Sequence, residues 1–263
     1  MSFQNKVVIV TGSSSGIGAA IAIKFAEEGA KVAIVGRNQE KLNNVAKKCG
    51  KPLVLVADVT KEEDIKRIID ETLRVFGKLD ILVNNAGIAN PAGIQSEDAM
   101  AVFDKVMTTN LRSAVYLTHL AAPYLVKTKG NIVNISSIAA LKAISKDSFA
   151  YCASKAALDH FTRAVALELA SSGVRVNTIN PGPVLTDVFE NMGATREQQA
   201  AFFKGVGQTM PLKRVSIPEE IGDLVLFLAS EKARAITGSN FVSDNGAMLG
   251  SAGVETLELN KAN

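Results

Sequence analysis

The sequence predicts an α/β fold: one doubly wound domain spanning residues 1–263, with about seven parallel strands and helices on both faces of the sheet. Short apolar runs of Val, Ile and Leu alternate with longer segments of helical periodicity, which is the order of a parallel sheet with crossover helices. Most of these runs are continuous, as is typical of strands buried on both faces. Hydrophobic residues make up 47% of the chain, enough for the large core that this architecture requires.

Seven of the apolar runs are the predicted strands. They are Val7–Val10, Val32–Val35, Leu53–Ala57, Ile81–Val83, Ile132–Ile135, Val174–Ile179 and Phe241–Val242. After the first run, Ile17, Ile21 and Phe25 recur every four residues and share one face of a predicted helix. Thr60 followed by Glu63 predicts a capping box at the start of the helix that follows the third strand.

One long stretch, residues 183–218, lacks clear periodicity and is predicted to be a substrate-loop insertion. Loops of this length in compact domains usually serve as lids or binding loops. A helical insertion without a function is the alternative. The chain shows neither an internal repeat nor a linker, so we expect the insertion to belong to the single domain.

Composition and charge argue against several classes of function. The chain has 29 basic and 26 acidic residues, a net charge of +3 without a basic tract, so we expect no nucleic-acid partner. Its two cysteines, Cys49 and Cys152, lack metal-ligand spacing, which favours free thiols in a reducing compartment over a metal site or a disulfide. The start, MSFQNKVVIV, has no signal-peptide pattern, and no apolar stretch approaches the roughly 20 residues that span a bilayer. We therefore expect a cytoplasmic protein without a membrane partner.

The stretch TGSSSGIG, residues 11–18, directly follows the first predicted strand and predicts a dinucleotide site of the Rossmann type. Gly12 permits a tight turn, Gly16 lets the backbone approach a pyrophosphate, and Gly18 lets the new helix pack closely. The free N–H groups and positive dipole end of that helix attract an anion. A tight turn without a ligand is the alternative. The predicted cofactor contacts in this stretch are Gly12, Ser13, Ser14, Ser15, Gly16, Ile17 and Gly18.

The tip of the second strand predicts which dinucleotide binds. An NAD site usually has a carboxylate here to hold the ribose 2′-hydroxyl, but this strand ends in Gly36, Arg37 and Asn38. Because a guanidinium matches phosphate geometry, Arg37 favours the 2′-phosphate of NADP(H) over NAD(H). A solvated loop charge is the alternative for Arg37. At the tip of the third strand, Asp58 with Val59 is open between a contact to adenine and a helix cap.

Tyr151 and Lys155 are the residues whose spacing points to chemistry. They lie four residues apart in the strongly helical stretch YCASKAALDHFTRAVALEL, so they share one face about 6 Å apart along the axis. Ser136 and Ser137 follow one predicted strand and residues 84–87 follow another. Because all these strand ends meet at one edge, we expect the groups to converge beside the glycine-rich turn. A surface lysine beside a packed tyrosine is the alternative.

Several motifs together resemble the short-chain dehydrogenase/reductase family. They are TGSSSGIG, NNAG at residues 84–87, the set of Ser137, Tyr151 and Lys155, and Asn180-Pro181-Gly182. The resemblance runs from Lys6 to about Gly246, with the motifs in the family's order and at about its spacings. It implies an oxidoreductase that transfers hydride between NADP(H) and a ketone or secondary alcohol, as a carbonyl reductase or alcohol dehydrogenase does.

The resemblance implies a catalytic role for each of four residues. Tyr151 would donate a proton to the substrate carbonyl, while the Lys155 ammonium would make the phenol more acidic and hold the nicotinamide ribose. Ser137 would donate to the substrate oxygen, and Asn110 would support a water-linked proton relay. The interval from Ser137 to Tyr151 is one residue longer than usual in the family, so Ser136 stays open as an alternative for the hydroxyl.

The resemblance also implies cofactor contacts beyond the first turn. Val184 and Thr186 would contact the nicotinamide carboxamide and so present one face of the ring to the substrate. A turn that the neighbouring prolines stiffen is the alternative. The remaining predicted contacts are Arg37, Asn38, Asp58, Val59, Asn85, Ala86, Gly87, Tyr151, Lys155, Pro181 and Gly182.

Apolar side chains in Asn90–Gln95, Leu141–Phe149 and Val188–Met210 predict a hydrophobic substrate of steroid, prenyl or 3-oxoacyl type. A place in the core or in an interface is the alternative for these side chains. The predicted substrate contacts are Ser137, Leu141, Phe149, Tyr151, Phe189 and Met192.

Two other functions stay open. One is a catalytically silent NADP-binding regulatory protein on the same fold, and the other is a different enzyme on this scaffold, such as an epimerase. An intact set of four catalytic residues argues against the regulator, since a sensor need not keep them. The resemblance further implies a homo-oligomer, a dimer or a tetramer, built on the helices predicted at Asn110–Lys127 and Tyr151–Ala170.

Overall fold

The computed structural model of the protein describes residues 2–186 and 195–250. Its seven parallel strands are β1 (Val7–Thr11), β2 (Lys31–Gly36), β3 (Leu53–Val56), β4 (Ile81–Asn84), β5 (Asn131–Ile135), β6 (Arg175–Pro181) and β7 (Asn240–Ser243). Their order in the sheet is β3-β2-β1-β4-β5-β6-β7. The helices are α1 (Gly16–Glu27), α2 (Gln39–Lys48), α3 (Glu62–Phe76), α4 (Ala99–Met107), α5 (Ser113–Thr128), α6 (Phe149–Leu169), α7 (Arg196–Thr209) and α8 (Pro218–Ala229).

Helices cover both faces of the sheet because side chains alternate along each strand. In β1, Val8 and Val10 join the buried cluster that includes residues of α1 and α8. Val7 and Ile9 join a second cluster, which includes residues of α3 and α5. The strand order changes direction between β1 and β4, and ligands of doubly wound sheets bind at such a switch point. The predicted doubly wound α/β fold is confirmed.

The predicted strands are confirmed, with ends that differ by two residues at most. The predicted capping box at Thr60 and Glu63 is wrong. Helix α3 begins one residue later, with Lys61 as its N-cap and no side-chain cap bond. The Thr60 N–H and hydroxyl both donate to the Asp58 carboxylate, at 3.0 and 2.8 Å, so the Thr60 side chain is held by a turn before the helix.

The insertion predicted at residues 183–218 contains regular structure. Helix α7 begins with a capping box in which Thr195 accepts from the Gln198 N–H and the Gln198 side chain accepts from the Thr195 N–H. Val184 pairs with Ser216 in a parallel bridge, so both ends of the insertion meet beside β6. Residues 187–194 lie outside the described part of the chain.

Two negative findings apply to residues 2–186 and 195–250. None of the helices in these ranges has the length and apolar character to cross a bilayer. None of their His, Cys, Asp and Glu side chains form a group of three that could hold a metal ion.

Candidate active site

The turn after β1 needs its glycines for its backbone conformation and its close packing. Gly12 and Gly16 have φ angles of 65° and 54°, which side chains rarely adopt. A Cβ at Gly12 would lie 2.9 Å from the Ala86 Cα, and one at Gly18 would overlap the Gly12 carbonyl oxygen and the Asn85 amide. The turn therefore packs directly on the residues that follow β4 and leaves the first N–H groups of α1 at the switch point.

Thr11 joins the ends of β1 and β4, a role that no motif in the sequence predicts. Its hydroxyl accepts from the N–H groups of Asn85 and Ala86 at 3.0 and 3.1 Å and donates to the Val83 carbonyl at 3.3 Å. The Asn85 Nδ2 returns a hydrogen bond of 2.9 Å to the Thr11 carbonyl. The feature of the sequence that could have indicated this role is a hydroxylated residue at the end of a strand. These bonds hold the two sides of the crevice in register.

The three serines of the turn occupy different places. The buried Ser13 hydroxyl donates to the Val35 carbonyl at 3.2 Å and accepts from the Val35 N–H at 2.8 Å, so it fixes the turn to β2. Ser14 and Ser15 instead line a cavity of about 230 Å³ between α1 and α2, together with Lys41. The hydroxyls on the open side of the turn are therefore those of Ser14 and Ser15.

The tips of β2 and β3 lie side by side. Arg37 is exposed there, and the Asn38 side chain caps α2 by accepting from the Lys41 N–H at 2.9 Å. Burial raises the pKa of Asp58, but the hydrogen bonds from Thr60 and the charges of Arg37 and Lys61 bring it below its ordinary value. The Asp58 carboxylate therefore binds Thr60 in the turn before α3 and does not cap the helix, whose N-cap is Lys61.

Tyr151 and Lys155 line one cavity of about 610 Å³ at the carboxyl edge of the sheet. Lys155 is 4% exposed, and its Nζ donates to the Ile135 carbonyl at 2.8 Å. The same Nζ lies 5.7 Å from the centre of the Tyr151 ring. The four-residue spacing thus places both groups on the cavity side of α6, as the sequence predicts.

Ser136 and Ser137 both reach this cavity but have different partners. The Ser136 hydroxyl donates to the Lys155 carbonyl at 3.2 Å. The Ser137 hydroxyl accepts from the Ala139 N–H at 3.1 Å, and it is the side chain that lowers the pKa of the Tyr151 phenol. Of the two serines, Ser137 is therefore the one that lies toward the phenol.

The electrostatics of the pair differ from the expectation. Burial raises the pKa of Tyr151 above its ordinary value, against the lowering effect of the Ser137 hydrogen bond. Burial also lowers the pKa of Lys155 to about 8, and the nearby Asp159 carboxylate opposes that fall. We expected the ammonium to make the phenol more acidic, but in the protein alone the loss of water around the phenolate is the larger effect.

Asn110 lies in a π-helical turn, Thr108–Arg112, between α4 and α5. Its side chain accepts from the Ile88 N–H at 2.8 Å and donates to the Ile88 carbonyl at 2.9 Å and to the Ser154 hydroxyl at 3.0 Å. A Cβ at Gly87 would lie 3.4 Å from Asn110 Oδ1 and 3.5 Å from Lys155 Nζ, so Gly87 separates these two groups. A π-turn often marks a functional site.

The motif after β6 lies against the glycine-rich turn at the edge of the cavity. Pro181, Gly182, Val184 and Thr186 all line the cavity wall. A Cβ at Gly16 would lie 3.1 Å from the Thr186 Cγ2, so Thr186 packs directly on the turn.

The predicted substrate contacts are brought together only in part. Ser137 and Tyr151 line the cavity, whereas Leu141 is half-exposed outside it and Phe149 stacks on Phe103 of α4, with ring centres 6.3 Å apart. Phe189 and Met192 lie outside the described residues. The apolar side chains that do line the cavity include Ile138, Ile144, Phe202, Phe203 and Val206.

Comparisons with known proteins agree with this geometry. A family model described as enoyl-(acyl carrier protein) reductase matches residues 12–248. L-fucose dehydrogenase of Bos taurus is 38% identical over 94% of this chain and 91% of its own length. A Caenorhabditis elegans short-chain dehydrogenase/reductase of unknown function, solved with cofactor, superposes with a TM-score of 0.90 at 39% identity, over 94% of this chain and 96% of that one.

L-sorbose reductase of Gluconobacter frateurii, solved with NADPH and L-sorbose, superposes with a TM-score of 0.86 at 32% identity, over 94% of this chain and 97% of that one. These matches span nearly the whole of each protein, and the chain retains the glycine-rich turn and the Tyr151–Lys155 pair in one crevice. The chain belongs to the short-chain dehydrogenase/reductase family and is an oxidoreductase of that family.

Proposed function

We propose that the protein is an NADP(H)-dependent carbonyl reductase or alcohol dehydrogenase that acts on a hydrophobic ketone or secondary alcohol. The observation that carries this proposal is the single cavity in which Ser137, Tyr151 and Lys155 meet beside the glycine-rich turn. A catalytically silent regulator would not require these groups to share one wall.

The turn after β1 fits a dinucleotide. A Cβ at Gly12 or Gly18 would press on Ala86, on Asn85 or on the Gly12 carbonyl, so only glycine keeps the turn this close to the end of β4. The first N–H groups of α1 are then available for a pyrophosphate. Lys155 would hold the nicotinamide ribose, and Val184 and Thr186 the carboxamide. The cofactor supplies or accepts the hydride when it is bound.

The residues of the chain supply the proton and stabilise charge. Ser137 would donate a hydrogen bond to the substrate oxygen, which stabilises negative charge as it develops there. The raised pKa of Tyr151 keeps its phenol protonated near neutral pH, as a general acid for reduction requires. The Lys155 ammonium would stabilise the phenolate that is left after proton transfer. Asn110, beside Gly87, would support the water-linked relay that returns a proton to Tyr151.

The preference for NADP(H) is proposed from the tip of β2. Arg37→Ala should raise the KM for NADPH about tenfold or more, since a charge-assisted hydrogen bond contributes about 1.5–3 kcal/mol, and leave the KM for NADH unchanged. Adding Gly36→Asp should lower the KM for NADH, although the new Cβ lies 3.2 Å from that of Ser14. Lys51→Ala, at an exposed lysine outside the crevice, is the control. Unchanged KM values for both cofactors would contradict the assignment.

The substrate class is proposed from the apolar side chains Ile138, Ile144, Phe202, Phe203 and Val206 on the cavity wall. Sugars are the second candidate, because relatives of this chain are an L-fucose dehydrogenase and an L-sorbose reductase. Absorbance at 340 nm with NADPH or NADP⁺ should distinguish the two. We expect higher kcat/KM for steroid, prenyl or 3-oxoacyl carbonyls than for hexoses and ketoses, and the reverse order would favour the sugar candidate. Binding of NADPH without turnover of any substrate would favour the regulator.

A homo-oligomer is also proposed, as a dimer or a tetramer. Helices α5 and α6 carry exposed apolar residues, among them Val115 and Leu167, and Leu167 is 83% exposed. Apolar side chains on two long helices support a contact between copies of this chain.

A further inference from the structure

The carboxylate of Asp159 is buried on α6, one turn beyond Lys155. Asp159 is 3% exposed and Lys155 is 4% exposed, and their four-residue spacing puts both on one face of the helix. Burying a carboxylate costs free energy unless charges and hydrogen bonds compensate it. Arg163, one further turn along α6, is the second cation beside Asp159. Asp159 therefore lies between two cations on the helix that carries the pair Tyr151 and Lys155.

Hydrogen bonds connect Asp159 to the ends of two strands and to Ser137. Its Oδ2 accepts from the amide of Asn180 in β6 at 2.8 Å and from the amide of Asn240 in β7 at 2.6 Å. The Asn180 Nδ2 also donates to the Ser137 carbonyl at 2.9 Å. One amide thus joins the buried carboxylate to the backbone of Ser137, whose hydroxyl lowers the pKa of the Tyr151 phenol.

The charges around this carboxylate come from α6 itself. The groups that face it from β6, from β7 and from the turn after β5 are the neutral side chains of Asn180, Asn240 and Ser136. Burial lowers the pKa of Lys155 to about 8, and Asp159 is the charge that opposes this fall. Burial raises the pKa of Asp159 itself, although the hydrogen bonds and both cations favour its ionised form.

We propose that Asp159 is a positioning residue: its carboxylate is the counter-ion of the Lys155 ammonium, and through Asn180 it holds Ser137 beside Tyr151. The effect of Asp159 on catalysis rests on the proposed function. Asp159 acts through other groups, since it is absent from the cavity wall among the residues that the structure describes.

Asp159→Asn tests the charge. The amide keeps the size of the side chain and one oxygen for both asparagine donors, but it removes the negative charge. We expect the pKa of Lys155 to fall by about one pH unit below its wild-type value, as the loss of a close opposite charge predicts. NMR titration of ¹³C-labelled lysine side chains measures this pKa directly, with the Lys155 signal assigned by its absence in Lys155→Met. The alkaline limb of kcat/KM for ketone reduction should move to lower pH by the same amount.

Asn180→Ala tests the connection to Ser137 and leaves the charge in place. We expect kcat to fall about tenfold or more, with the KM for NADPH and the Lys155 pKa unchanged, because only the substrate-side hydroxyl loses its support. Asp159→Glu keeps the charge and should retain the wild-type Lys155 pKa. Glu168→Gln, an exposed acid on the same helix, should change neither quantity.

The outcomes separate this inference from the proposed function. A Lys155 pKa that is equal in Asp159→Asn and wild type, or an unchanged kcat in Asn180→Ala, would overturn the inference. If the wild-type protein reduces no ketone, the proposed function fails, whereas the NMR titration still tests Asp159 as the counter-ion.

Discussion

Tyr151→Phe should lower kcat for ketone reduction by about 10²–10⁴-fold and leave the Kd for NADPH unchanged. The substitution removes one oxygen, so the ring can keep its place beside Lys155 on the cavity wall. The lost group is the proposed proton donor, whose pKa the Ser137 hydroxyl lowers. Absorbance at 340 nm gives kcat, and quenching of NADPH fluorescence gives the Kd.

Tyr124→Phe is the matched control for this variant. The Tyr124 ring on α5 lies 5.4 Å from the Nζ of Lys127, close to the 5.7 Å between Tyr151 and Lys155, but it is outside the cavity. We expect wild-type turnover from it. Wild-type turnover in Tyr151→Phe would instead refute the proposed mechanism.

Lys155→Met should weaken both catalysis and cofactor binding. We expect kcat to fall about 100-fold or more, because the phenolate loses its stabilising charge, and the Kd for NADPH to rise about tenfold as the ribose loses a donor. The variant also leaves the buried Asp159 without the neighbouring ammonium, so its Tm should fall. Steady-state kinetics, fluorescence titration and thermal unfolding measure the three effects.

Lys127→Met makes the same change at an exposed lysine beside a tyrosine ring. It should leave kcat and the NADPH Kd at their wild-type values. If neither quantity changed in Lys155→Met, the argument that Tyr151 and Lys155 act from one helix face would be wrong.

The architecture could be predicted because it depends on features that a sequence displays. Strands buried on both faces require continuous apolar runs, and such runs placed all seven strands to within two residues. The capping box at Thr60 failed because the pattern Thr60 to Glu63 does not show where the helix begins. The Thr60 hydroxyl and N–H both donate to the Asp58 carboxylate in a turn before α3, and the helix begins one residue later, with Lys61 as its N-cap.

The part of the candidate site that lies on a single helix could be predicted from the sequence. The spacing of Tyr151 and Lys155 fixes their common face through helix periodicity alone. Asn110 followed only from the family resemblance, since a π-turn has no clear signal in the sequence. The contact of Phe149 with Phe103 could not be predicted, because it depends on how α4 packs on α6.

The pKa of Tyr151 could not be derived from its neighbours in the sequence. The spacing places Lys155 nearby, and a nearby cation lowers the pKa of a phenol. Burial acts in the opposite direction and depends on every element that closes around the ring. The contacts of Asp159 with Asn180 and Asn240 could not be predicted either, because they join a helix to two strands that are distant in the chain.

A crystal structure with bound NADP⁺ tests the central claim most directly. We expect the pyrophosphate at the turn of residues 11–18, the nicotinamide ribose at Lys155 Nζ, and the Tyr151 hydroxyl facing the nicotinamide ring together with that of Ser137. A dinucleotide bound elsewhere on the protein, or a Tyr151 oxygen that faces away from the ring, would contradict the account.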